Sequence, residues 1–188
     1  MSFPPNTTKP DAASIQVIIS LGANLDSALG EPAATLQGVT ERLRALAENQ
    51  FATSALYQTT PVDCPPGTPD FLNSVVIMNV ASDVLPRELL AQLHQLEADF
   101  GRVRGDTVSG KTNESRCLDL DLIAFGETLS HEPGLNLPHP RAHERQFVLQ
   151  PLAELQPELV LPGQGRSVTD LLLQLPFISS SHCSRITG

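Results

Sequence analysis

The chain alternates between apolar runs of strand length and apolar stripes of helical spacing. Ile15-Gln-Val-Ile-Ile-Ser-Leu-Gly22 is almost continuously apolar and ends in glycine, the pattern of a buried strand followed by a turn. Leu36, Val39, Leu43 and Leu46 then recur at helical spacing with charges between them, and Pro32 suits the first turn of that helix. Ala52 to Tyr57 reads as a second strand, and the proline-rich stretch 59–70 as a loop. Phe71 to Val80 is apolar and rich in β-branched residues, a third strand. Ser82 or Asp83 is placed to cap a helix carrying Leu85, Leu89, Leu93, Leu96 and Phe100, which Gly101 ends. A polar loop is expected over 102–116, a fourth strand over Cys117 to Phe125, and short helices near 144–155 and 167–175.

This order, β-α-β-β-α-β with C-terminal additions, predicts an α+β fold of the ferredoxin-like kind. It implies a four-stranded antiparallel sheet with two helices on one face and the other face open. Residues 1–14 and 179–188, rich in Pro, Ser and Thr, are expected to be flexible tails around one domain spanning 15–178.

Composition narrows the functional classes. With 12 Lys and Arg against 21 Asp and Glu, the net charge is −9, which disfavours a general binder of nucleic acid or anionic membrane. The cysteines, Cys64, Cys117 and Cys183, are odd in number and widely spaced, so neither a disulfide framework nor a cysteine zinc site is expected. No basic segment followed by an apolar run opens the chain, and no apolar run approaches membrane-spanning length, so cytoplasm is the expected compartment.

The chemistry concentrates in Leu118-Asp119-Leu120-Asp121-Leu122. On a strand Asp119 and Asp121 share one face, roughly 7 Å apart at their Cα atoms, while the leucines face the helices. Two carboxylates so placed suit one or two hard cations such as Mg²⁺. Six of the 12 cationic residues, Arg102, Arg104, Lys111, Arg116, Arg141 and Arg145, fall around this strand, as a magnesium polyphosphate would require. Gly105 to Thr112 matches the G-x-x-x-x-G-K-[ST] phosphate loop letter for letter, but a helix precedes it and a strand follows, the reverse of what that loop needs. His139 and His143 stand four apart, yet Pro138 and Pro140 flank the first, which disfavours a helical zinc pair. Phe71 and Asn73 share a strand face and could stack on and hydrogen-bond a planar heterocycle.

Seven ordered segments, SLGAN (20–24), SALYQTTPV (54–62), PDFLNSVV (69–76), LEADFGRVR (96–104), RCLDLDLIAFG (116–126), LPHPRAHERQFVLQPLAEL (137–155) and PELVLP (157–162), resemble the 6-hydroxymethyl-7,8-dihydropterin pyrophosphokinases of the folate pathway. The resemblance implies transfer of diphosphate from ATP, the co-substrate, to a pterin alcohol. Asp119 and Asp121 would hold two Mg²⁺ ions, and Arg102 and Arg116 would neutralise charge in the transition state. Phe71 and Phe147 would stack the pterin, with Asn73, Thr59 and Val62 at its edge. His94, Glu97, Arg104, Leu122, Asn136, His139 and Arg145 match positions lining the ATP site, and Lys111 is expected to stand in for an arginine this chain lacks. The chain departs from the family at Thr60 (often Pro), His94 (often Gln) and Pro140 (often Tyr), and it has no Trp. A monomer acting on small molecules is expected. A phosphate-loop hydrolase using 105–112 and a non-catalytic paralogue remain the alternative readings at this point.

Overall fold

A computed structural model describes residues 13–61, 64–102, 115–176 and 182–186. Val62, Arg104, Lys111 and the whole phosphate-loop match lie outside these residues, as do 1–12 of the expected N-terminal tail. Among the described residues the strands β1 (Ser14–Ala23), β2 (Phe51–Thr53), β3 (Tyr57–Thr59), β4 (Phe71–Ala81), β5 (Asp119–Phe125) and β8 (Cys183–Arg185) form one sheet, five of them in the order β5-β1-β4-β3-β8 with β2 also pairing with β4. The longest are β1 (Ser14–Ala23) and β4 (Phe71–Ala81), antiparallel over ten residue pairs from Ser14–Ala81 to Ala23–Leu72. β5 (Asp119–Phe125) pairs antiparallel with the other side of β1 and ends the sheet. The helices are α1 (Pro32–Arg44), α2 (Pro86–Asp99), α3 (Gln146–Leu155) and α4 (Val168–Gln174). No helix among the described residues is long and apolar enough to cross a membrane.

Side-chain alternation divides the core in two. Val17, Ile19 and Leu21 of β1 and Val76 and Met78 of β4 face Leu36, Val39 and Leu43 of α1 and Leu89 and Leu93 of α2. The opposite face presents Ile18, Val75, Ile77 and Ile123, which pack against Val148, Leu149 and Leu152 of α3 and Val168 of α4. The expectation of an open second face therefore fails. Both sets of alternate positions are apolar, so each face needs a cover, and α3 and α4 supply the second.

Other differences have local causes. The strand expected over 52–57 is two strands, β2 (Phe51–Thr53) and β3 (Tyr57–Thr59). Between them the Ser54 N–H still donates to the Val75 carbonyl at 3.0 Å, but the Ser54 hydroxyl accepts the Val75 N–H at 3.0 Å and the Glu154 carboxylate accepts the Ala55 N–H at 3.3 Å, so side-chain bonds interrupt the ladder. The cap of α2 is Leu85, not Ser82 or Asp83. Pro86 suits the first helical position and drives the residue before it to an extended ψ of 146°, and Glu88 accepts the Leu85 N–H at 3.0 Å. Leu85, expected on the apolar stripe, is consequently exposed. Leu46 is exposed too, beyond the end of α1. A hairpin, β6 (Ser130–Glu132) and β7 (Leu135–Leu137), follows β5. Within the stretch read as a C-terminal tail, β8 (Cys183–Arg185) pairs with β3 and adds an edge strand.

Candidate active site

Asp119 and Asp121 do share a face, because β5 holds regular strand geometry through both. Their partner positions on β1 are Gly22 and Ser20. β5 is an edge strand, so both of its faces reach one cleft of about 820 Å³, lined by Asp119, Leu120, Asp121 and Leu122 together. On the β5 side stand Leu90, His94 and Glu97 of α2 with Leu135, Asn136 and Leu137 of the hairpin, elements that pack on β5. Across β1 from it, at the other end, stand Thr59, Phe71 and Asn73 of β3 and β4 and Phe147 of α3, which packs on those strands. Arg102, Arg116, His139 and Arg145 also line it. Every expected site residue within the described residues thus borders the same cavity.

Three guanidinium groups converge on the acidic pair. Arg102 Nη1 donates to Asp119 Oδ1 at 2.5 Å, and Arg116 Nη1 donates to Asp119 Oδ2 at 2.8 Å. Arg145 Nη1 donates to Asp121 Oδ2 at 3.2 Å and its guanidinium lies 5.3 Å from the Phe147 ring centroid. Glu97, expected along the nucleotide site, is only 1 % exposed. Its Oε1 accepts both Arg102 Nη1 and, at 2.8 Å, the Leu120 N–H. It positions the guanidinium and the edge of β5 at once. Asp119 thus meets the guanidinium groups of Arg102 and Arg116, and Asp121 that of Arg145. Burial, and then the neighbouring Asp119 charge, push the Asp121 carboxyl up to about 6.

A bulge in β5 sets the position of His139. The register with β1 shifts between Ile18 and Ile19, which oppose Ala124 and Leu122, leaving Ile123 without a partner on β1. The Ile123 carbonyl instead accepts the His139 N–H at 2.8 Å. Burial first, then Arg145 and Arg141, lower the imidazole pKa to about 4. The ring is therefore neutral at pH 7, and its Nδ1 accepts the Arg141 N–H at 3.2 Å, which leaves the proton on Nε2. In an NMR titration His139 should keep its neutral chemical shifts down to about pH 5. Because its folded-state value lies below the unfolded 6.5, it contributes stability present above that value and lost as pH falls toward about 4. A midpoint near 6.5 in the native protein would contradict the burial.

The opposite end of the cleft rests on an absent side chain. Gly22 sits between Asn73 on β4 and Asp119 on β5, and a Cβ there would meet Asn73 Oδ1 at 3.0 Å. Glycine lets the amide lie close over β1. Asn73 Nδ2 donates to Thr59 Oγ1 at 2.7 Å, which leaves Oδ1 as the acceptor on this side.

Sequence reasoning missed Gly22 as a spacer and Asn24 as a tie. Asn24 Oδ1 accepts the Arg116 N–H at 2.7 Å, and its Nδ2 donates to Pro69 O and Ser115 Oγ, both at 3.2 Å. Its partners lie 45, 91 and 92 residues away, so no local spacing signals the role. The hairpin carrying Asn136 did have a signal, since Pro133-Gly134 is a turn pair and Gly134 has a φ of 78°.

Comparison with known proteins places the chain in a family. Residues 18–157 match the family model described as 7,8-dihydro-6-hydroxymethylpterin-pyrophosphokinase. The chain is 38 % identical over 163 residues to the 2-amino-4-hydroxy-6-hydroxymethyldihydropteridine pyrophosphokinase of Pseudomonas aeruginosa, covering 86 % of this chain and 93 % of that one. It is 31 % identical to the protein of the same name from Haemophilus influenzae, covering 85 % and 92 %. Among solved structures, the Plasmodium falciparum HPPK-DHPS chain crystallised with SDX-DHP superposes with a TM-score of 0.64 at 11 % identity. That match covers 88 % of this chain and 45 % of the larger one, a likeness of fold.

Proposed function

Because the chain belongs to the 7,8-dihydro-6-hydroxymethylpterin-pyrophosphokinase family, an enzyme family of folate biosynthesis, we propose that it moves the β,γ-diphosphoryl group of ATP onto the hydroxymethyl oxygen of 6-hydroxymethyl-7,8-dihydropterin. The observation that carries the reading is one cleft holding an acidic pair among three arginines, with Phe71, Asn73 and Phe147 at one end. In the transfer the alcohol oxygen forms a bond to the β-phosphorus. The bond from that phosphorus to the α,β-bridging oxygen breaks, AMP leaves with that oxygen, and the hydroxyl proton is released.

Asp119 and Asp121 fit a hard divalent cation such as Mg²⁺. Both are oxygen donors on one face of one strand, and burial, then the Asp119 charge, raise the Asp121 carboxyl to about 6, a cost that a bound cation would relieve. Two carboxylates suffice where phosphate oxygens complete the shell, and two ions are the expected number. Bound there, the metal would neutralise triphosphate charge. The protein's own work is positioning and charge. Arg102 and Arg116 stand beside the carboxylates to take phosphate oxygens, Glu97 fixes Arg102, and His139 offers a neutral Nε2–H donor. Asn73 Oδ1 is the acceptor for a ring N–H, and Phe71 and Phe147 offer faces for stacking.

Two finer readings go with this one. The core is ferredoxin-like, which the order β5-β1-β4 with β2 and β3 beyond it supports. The protein works as a cytoplasmic monomer on small molecules, in keeping with its acidic charge.

A coupled assay of AMP release tests the proposal. AMP should form from ATP only when both the pterin alcohol and Mg²⁺ are present. ATP hydrolysis that ignores the pterin, or no AMP under any condition, would overturn it.

A further inference from the structure

The family match ends at residue 157, but the cleft does not. Leu175, Pro176, His182 and Cys183 also line it, all from the stretch beyond that boundary. β8 lies antiparallel to β3 with Cys183 opposite Thr59, and Thr59 is in turn opposite Phe71 on β4. Phe71, Thr59 and Cys183 therefore form one row across the sheet, at the end of the cleft where the ring is proposed to bind.

The strand is fastened where it meets the cleft and where it leaves it. The Thr60 N–H donates to the His182 carbonyl at 3.0 Å, and the His182 N–H donates to Thr60 Oγ1 at 3.0 Å. The Ile186 N–H donates to the Leu56 carbonyl at 2.8 Å, and Arg185 pairs with Glu154 at 3.3 Å. Proline at position 60 would have neither the N–H nor the hydroxyl that the first pair of bonds needs. Burial pushes the Cys183 thiol up to about 11, so it stays protonated and presents a neutral, polarisable surface. Helix α2 and the hairpin form the far end of the cleft, with no residue of β8 among them.

We propose that β8 is a fixed wall of the acceptor end, setting how tightly the heterocyclic alcohol binds while leaving the nucleotide untouched. The inference rests on the preceding reading of which end takes the ring. It makes the stretch beyond the family match part of the substrate site.

Two full-length variants test it, each assayed for AMP release with the pterin alcohol and ATP varied separately. Cys183→Trp puts bulk into the wall and should raise the KM for the pterin alcohol by about tenfold or more. Thr60→Pro removes both bonds to His182 without altering β8, and should raise the same KM by about threefold or more. The KM for ATP should stay within about twofold of the parent in both. Thermal melts of each variant separate loss of fold from loss of binding. If the parent turns over and either folded variant keeps its pterin KM, or both KM values rise together, the wall is overturned and the activity stands. If the parent releases no pterin-dependent AMP, the reading and the inference fall together.

Discussion

Asp121→Asn is expected to lower kcat/KM by about 10³-fold, some ~4 kcal/mol of transition-state stabilisation, and yet to raise the melting temperature of the metal-free protein. The two effects share one cause. Burial and then the Asp119 charge raise the Asp121 carboxyl from 3.8 to about 6. The folded state then holds this proton more tightly than the unfolded chain does. Stability contributed by the protonated acid is lost as pH rises through about 6, and the loss persists at neutral pH. The amide removes that cost, offset in part because Arg145 loses the charge it meets at 3.2 Å. The same amide is a poor ligand for a hard cation. Melting curves in chelator, at neutral pH and at about pH 4, should show the gain at the first and little at the second. Retained turnover would remove Asp121 from the metal site, and a lowered neutral-pH melting temperature would contradict the cost of burying that acid.

Glu97→Ala is expected to cost about 3 kcal/mol of folding free energy and to cut kcat/KM by about tenfold. Glu97 is 1 % exposed, and one oxygen serves both Arg102 and the Leu120 N–H. Alanine leaves that N–H buried without its acceptor and leaves Arg102 to be oriented by Asp119 and the Leu118 carbonyl without the Glu97 charge. Glu97→Gln keeps an acceptor for Leu120 and should recover part of the stability but less of the rate, since the charge that holds Arg102 is gone. Urea denaturation gives the first quantity and steady-state kinetics the second. A cost under about 1 kcal/mol for the alanine variant would mean that Glu97 is not a buttress.

Much of this site was legible before any coordinates because its chemistry lies on regular structure. Asp119 and Asp121 two apart on a strand, and Phe71 and Asn73 two apart on another, share faces by alternation alone. Leu118, Leu120 and Leu122, which alternate with the aspartates, join the core beneath α1 and α2 for the same reason. What escaped notice depends on contacts distant in sequence or on breaks in periodicity. The Ile123 bulge is silent in an apolar run, and without it nothing indicates that His139 is drawn to β5. Gly22 reads as the end of a strand, and its role as a spacer appears only when Asn73 and Asp119 flank it. The two short helices were expected near 144–155 and 167–175, but their place over the second face of the sheet was not, because no local spacing says which face a helix covers, although Ile18, Val75 and Ile77 plainly required a cover. β8 is three residues in a polar stretch, below what alternation can signal.

The margin of the sheet at β5 has a bearing beyond the reaction. An uncovered edge offers a comb of backbone groups on which another molecule can polymerise. Here the Leu120 N–H is occupied by the Glu97 carboxylate and the Ile123 carbonyl by the His139 N–H. An incoming segment would find two teeth already taken and the spacing broken between them. The groups that furnish the cleft thereby also guard the protein against fibrillar self-association.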